Sequence, residues 1–343
     1  MRGLLLPASI SVLGLVNAAI AEAPSVAADI PPVHSLVAMI MEGVGTPDLL
    51  VQPGASPHGY SLRPSEARAL ENAQAVFWIG EGLEPWLVSS IESLASDASV
   101  IKLIDAPGTT ELPFRIGATF EKHGHGDHEE GDAQHEEGEG HTQHDEAGHE
   151  GEQATAHGHQ EAGMHGEEHH DQLGHDPHAW LDPENGRAWL DAIAAELSRI
   201  DPENADTYRA NADAGQATLE AVIDQVMADL APVRGKPFIV FHDAYQYFET
   251  RFDVPAAGSI SIGDAADPGA ARIKEIRDKV AELEISCVFS EPQFNPGLVQ
   301  TVFQGTEAHT GLLDPLGTDL AIGPDLYPLL IRAVGSGLAD CLK

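Results

Sequence analysis

Residues 121–171 cannot join a folded core. Glu, Asp, His, Gly and Gln dominate this stretch, large apolar side chains nearly vanish, and Lys122 is the only Lys or Arg between Arg115 and Arg187. Such a composition buries too little apolar surface to offset the entropy of ordering. It reads as a mobile acidic, histidine-rich loop over 121–172, and any fold must come from the two flanks.

Both flanks alternate short apolar runs with helical ones. Before the loop, 49–52, 75–80 and 99–104 read as strands, and 65–72 (opened by Pro64) and 84–94 as helices. After it come two helical stretches, 183–199 and 202–230, each with Asp followed by Pro, the pattern of an N-cap with proline at the first helical position. The second would span about 42 Å at 1.5 Å per residue, long enough to act as a rigid spine. Beyond it, 237–241, 285–290 and 310–313 read as strands, and 244–252, 268–283 and 324–338 as helices. Alternating β and α predicts parallel sheets covered by helices. The expected architecture is α/β: an N-terminal lobe over 24–200, a long joining helix over 201–231, and a C-terminal lobe over 232–343.

The first 23 residues stand apart. Arg2, an apolar run over 4–16 too short to span a bilayer, and the small-residue sites Ala19-Ile20-Ala21 and Ala21-Glu22-Ala23 describe a secretory signal peptide. No cysteine stands directly after the cleavage sites to take a lipid, and no later run reaches about 18 apolar residues. A soluble protein in a bacterial periplasm is expected. That compartment is oxidising, so Cys287 and Cys341 are expected to pair, two buried thiols being the alternative. A net charge of −37 without a basic stripe argues against nucleic acid and suits a cationic ligand.

Four residues occupy positions where α/β sheets bind ligands, outside the carboxyl ends of strands or before a helix. His58 lies in the loop after a strand, His178 just ahead of a helix, His242 directly after the strand PFIVF, and Asp314 after TGLL. Taken singly, each could be a turn, cap or strand-end residue. Jointly, three imidazoles and a carboxylate make a four-coordinate site suited to Zn²⁺. Glu291 and Asp243 are candidates to orient the imidazoles, and Asp243 could equally cap a helix. His34 and His309 read as structural.

The segments PGASPHGYSLRP (53–64), DPHAWLDP (176–183), RGKPFIVFHDAY (234–245), SEPQF (290–294) and LDPLGT (313–318) run in order over most of the chain. Together they resemble the zinc-specific solute-binding proteins of bacterial ABC importers, the ZnuA type. The resemblance implies two α/β lobes joined by one long helix, with His58, His178 and His242 as core zinc ligands. It also implies a monomer that delivers zinc to an inner-membrane ABC permease. Asp314 matches the carboxylate that completes the site in several relatives, while others leave a water there; some zinc members carry Glu where Pro57 stands. Manganese and iron relatives usually have a carboxylate in place of His242, so the imidazole points to zinc.

His123, His125, His128, His135, His141, His144, His149, His157, His159, His165, His169, His170 and His175 lie among carboxylates at no fixed spacing. Weak, exchangeable metal capture is the expected role, an inert acidic linker the alternative. A flexible coil of about 50 residues reaches roughly 40 Å. Two other functions fit in part: a periplasmic zinc buffer with no transporter, and a three-histidine zinc enzyme. Against the enzyme, the sequence carries no HExxH or GxSxG pattern and no evident general base.

Overall fold

The computed structural model describes residues 23–115, 174–261, 269–294 and 308–343, with positions 297, 299, 303 and 306 between the last two. The signal-peptide segment, the loop over 121–172 with its histidines other than His175, and Pro268 lie outside these residues.

The first half supplies β1 (Val26–Ala28), α1 (Pro31–Ile40), β2 (Asp48–Leu49), α2 (Pro64–Asn72), β3 (Ala75–Trp78), α3 (Leu87–Leu94) and β4 (Ser99–Lys102). Then come α4 (Pro183–Ile200) and the long α5 (Ala205–Leu230). The second half supplies β5 (Phe238–His242), α6 (Gln246–Phe252), β6 (Gly258–Ser261), α7 (Ala270–Glu282), β7 (Cys287–Ser290), β8 (His309–Leu312) and α8 (Leu326–Leu342).

Among the described residues two four-stranded sheets result, ordered β2-β1-β3-β4 and β6-β5-β7-β8, with parallel pairing throughout. In each sheet the chain first builds to one side of its starting strand and then crosses to the other. The reversal falls between β1 and β3 in one sheet and between β5 and β7 in the other, the crevice where parallel sheets bind ligands. The central strands AVFW and FIVFH are buried at every residue, as strands covered on both faces must be.

Three elements carried no sequence expectation: β1, α1 and β6. Their signal is weak for one reason. Nine of the ten residues of α1 are buried, so no polar face marks a helical period, and Pro31 and Pro32 occupy its first turn. The other expected elements are present with shifted ends. The strand read over 49–52 pairs formally only through Leu49, although the Leu50 and Val51 amides still donate to β1 and Asp29 carbonyls. Asp182 caps α4 by accepting from the Glu184 amide at 2.9 Å. Asp201 does not cap the next helix; a 3-10 turn, Pro202–Asn204, intervenes, and its carboxylate accepts from Asn204 and the Tyr208 hydroxyl.

The largest core cluster runs through both halves, from Val26 and Val37 through Leu219 and Val226 to Phe238 and Leu330. Helix α5 holds it together by packing on α1, α4 and α8. Close approach is obtained with glycine: a Cβ on Gly215 would lie 2.8 Å from Leu190 Cδ1, and one on Gly335 2.8 Å from Val226 Cγ1. A disulfide joins Cys287 on β7 to Cys341 on α8, closing a separation of 54 residues. No helix among the described residues is long and apolar enough to cross a membrane.

Candidate metal centre

At the reversal point of the second sheet, β5 ends on His242 and β7 ends one residue before Glu291. Their register, with Phe238 opposite Cys287, sets His242 opposite Glu291. Glu291 Oε1 lies 2.7 Å from His242 Nδ1 and also accepts the His242 amide at 3.3 Å. A carboxylate on Nδ1 keeps the proton there and turns Nε2, with its lone pair, outward.

His178 is held the same way. Asp176 Oδ1 lies 2.7 Å from its Nδ1 and 3.0 Å from its amide nitrogen. The segment around it, which enters a 3-10 turn over Ala179–Leu181, is fastened by the second half of the chain. Tyr247 OH donates to the Asp176 carbonyl, Trp180 Nε1 to the Pro315 carbonyl, and Tyr327 OH to the Trp180 carbonyl, each at 2.7 Å. Arg251 makes two bonds of 2.8 Å to Asp182. By chain position His178 falls within the lobe expected over 24–200; its anchors are α6, α8 and the loop after β8.

His58 arrives from the β2–α2 loop. Trp86 Nε1 donates to the carbonyl of Pro57 at 2.7 Å, and Tyr60 OH donates to Glu66 of α2 at 3.0 Å. The histidine is thus gripped from both sides through its neighbours.

The three rings converge. Their candidate ligand nitrogens all lie within 4.8 Å of one another, and His58 Nε2 stands 3.2 Å from His178 Nε2. Two nitrogens each about 2.05 Å from a tetrahedral metal are separated by about 3.3 Å, so the spacing is that of a shared ion. His178 and His242 are buried and His58 half-buried. The cavity they line, walled by Trp180, Phe294 and Leu316, offers about 10 Å³ to water-sized centres, the scale of one small ion or water. The donors suit a borderline-soft ion rather than Ca²⁺ or Mg²⁺, which take oxygen.

Asp314, the expected fourth ligand, has other partners in this structure. It is absent from the three-histidine group, and its carboxylate closes a turn: Oδ1 accepts from the Leu316 amide at 3.0 Å and from Gln293 Nε2 at 3.1 Å, while Oδ2 accepts from the Thr318 amide. Asp243 neither touches an imidazole nor caps α6, whose N-cap is Tyr245. It is paired with Arg115, which also reaches Glu249 at 2.6 Å. Burial lifts the Glu249 carboxyl above its ordinary value, against the pull of Arg115. Asp176 and Gln293 escaped notice in the sequence. Asp two residues before His in DPH was the available signal for the first; nothing local marked the second.

Of the loop histidines only His175 is described, exposed and 2.7 Å from Glu111. His34 is buried with Nε2 3.0 Å from the Pro47 carbonyl, and His309 sits on β8.

Residues 26–341 match the family model of ZnuA, the periplasmic component A of the zinc-uptake complex. The high-affinity zinc uptake system protein ZnuA of Brucella suis is 47% identical over 94% of this chain and 92% of its own length. The protein of that name from Paracoccus denitrificans is 41% identical over 94% and 93%. A solved ZnuA deletion variant with zinc bound has the same fold, with a TM-score of 0.69 and 24% identity over 94% of this chain and 98% of that one. The chain belongs to the ZnuA family of periplasmic zinc-uptake components.

Proposed function

We propose that this protein captures Zn²⁺ in the periplasm on His58, His178 and His242 and delivers it to an inner-membrane ABC permease. The observation that carries the reading is the convergence of three imidazoles, two of them with Nδ1 against a buried carboxylate. That arrangement binds the ion through Nε2 and leaves one face for a further ligand. The names of the Brucella suis and Paracoccus denitrificans relatives, both zinc uptake, support a transport role rather than a reaction. Ion capture needs no general base; it needs donors that are preformed yet able to let go.

The test is chelator competition on the metal-free protein. Replacing His58, His178 or His242 by Ala should each weaken zinc binding by orders of magnitude. A histidine variant with parental affinity would remove that residue from the site. Zinc should also raise thermal stability, by about 4 kcal/mol at a thousandfold excess over Kd. That shift should shrink below about pH 6.5, where protons compete for imidazole. Co-purification with a membrane permease separates uptake from buffering.

A further inference from the structure

The wall of the metal cavity carries one polar group that the three-histidine reading leaves idle. Gln293 lines the cavity together with His58, His178 and His242. Its Nε2 donates to Asp314 Oδ1 at 3.1 Å and to Thr318 Oγ1 at 3.2 Å. An ionised carboxylate only accepts, so Asp314 dictates which end of the amide faces it. The carbonyl end is therefore set by Asp314 as well. Gln293 Oε1 is buried and has no hydrogen-bond partner.

A buried amide oxygen is costly to leave unmatched. The His178 and His242 imidazoles cannot satisfy it once they serve a metal. Nδ1 of His178 and of His242 faces its own carboxylate, and Nε2 carries the lone pair that the ion takes. A bare zinc ion has no proton to give. A water on zinc has two, both acidified by the metal. Three nitrogen donors leave one tetrahedral position on the ion, and Gln293 lines the cavity in which that position falls.

Resting on the zinc reading above, we propose that Gln293 Oε1 accepts a hydrogen bond from a water that is the fourth zinc ligand, and that Asp314 acts as the residue positioning Gln293 rather than as a ligand. The fourth position is then exchangeable: a water leaves without moving the backbone, whereas a carboxylate ligand would have to be withdrawn from the ion. Gln293 also favours a water over small anions there, because an amide oxygen attracts a proton donor and repels an acceptor.

The experiment uses the mature protein loaded with one equivalent of Co²⁺, whose visible absorption reports coordination, with azide as the probe of the fourth position. Azide should displace the water in the parent and shift the spectrum. Gln293→Leu should bind azide several-fold more tightly than the parent and zinc about tenfold more weakly, the lower end of what loss of a ligand's hydrogen-bond partner costs. Asp314→Asn, which lets the Gln293 amide turn over, should move both quantities in the same direction. If the parent is blind to azide and Asp314→Asn makes it sensitive, Asp314 is the fourth ligand and the proposal is wrong. It is equally wrong if Gln293→Leu leaves azide and zinc affinity unchanged. Failure of the zinc reading itself looks different: the parent would then show no tight equivalent of zinc.

Discussion

Glu291 Oε1 stands 2.7 Å from His242 Nδ1, and Asp176 Oδ1 stands at the same distance from His178 Nδ1. Both carboxylates are almost fully buried, so neither is held there by chance exposure to a nearby donor. Each sets a tautomer and a ring angle. Glu291→Gln and Asp176→Asn should fold normally and lose about 10- to 100-fold in zinc affinity, since an amide can present its NH₂ to Nδ1 and push the proton onto Nε2. Chelator competition measures the loss. Parental affinity in either variant would show that the carboxylate is structural only.

Trp86 has a smaller, separable effect. Its indole NH reaches the Pro57 carbonyl at 2.7 Å, while its ring lies 5.7 Å from Tyr60. Trp86→Phe retains the ring contact and deletes the donor. Zinc affinity should drop about five-fold, the equivalent of one neutral hydrogen bond of about 1 kcal/mol. A loss as large as that of His58→Ala would instead mean that the whole loop had come away.

The first sheet carries a different device at the place where the second holds His242. Asp29 follows β1 and Glu84 precedes α3; both are fully buried and they face each other. Asp29 accepts from the Ile30 and Ile79 amides at 2.7 and 2.6 Å, and its carboxyl is lifted from 3.8 to about 6, chiefly by burial. Burial first and the Asp29 charge next raise Glu84 well above its ordinary range. Raised values mean that the folded protein keeps protons the unfolded chain has already released. The stabilisation is therefore complete below the ordinary carboxyl range, about pH 4, and is lost as pH rises through 6 and beyond. Glu84→Gln supplies a permanent donor to Asp29, so its stability relative to the parent should increase steadily from pH 4.5 to 8. Denaturant melts across that range, with metal removed, decide it. Parallel curves would show that the pair shares no proton.

The fourth prediction concerns residues 121–172. Pro113 and His175 form an antiparallel bridge, and the Asp176 amide donates to the Leu112 carbonyl at 2.8 Å. The described chain thus leaves and returns at neighbouring points. Removing 121–172 should yield a folded protein with one tight zinc equivalent, because His58, His178, His242 and Gln293 all lie outside the cut. Additional, weaker zinc binding should disappear in calorimetric titration. Loss of the tight equivalent would place primary ligands among the excised histidines; unchanged stoichiometry would make the segment an inert linker.

Much of the fold was legible because parallel α/β units announce themselves: AVFW and FIVFH are short apolar runs between helical stretches, and Asp182-Pro183 marks a helix start. The elements that escaped, β1, α1 and β6, are buried on nearly all sides, so no polar face sets a period. Three ligand candidates were legible for a similar reason, since His58, His178 and His242 sit where strands end or helices begin.

The sequence alone determined which residues could carry a metal and that they belong near strand ends or helix starts. Those properties depend on composition and on period, which are local. The tertiary structure decided what each candidate does. Asp314 looked like a ligand because it follows a strand, and in the fold its carboxylate accepts from the Leu316 and Thr318 amides and from Gln293. Glu291 and Asp243 were equal candidates to orient an imidazole, and the register of β5 on β7 sets Glu291 against His242. Asp176, unnoticed, fixes the ring beside it. A carboxylate's role depends on which donors stand within about 3 Å of it, and most of those donors come from distant parts of the chain.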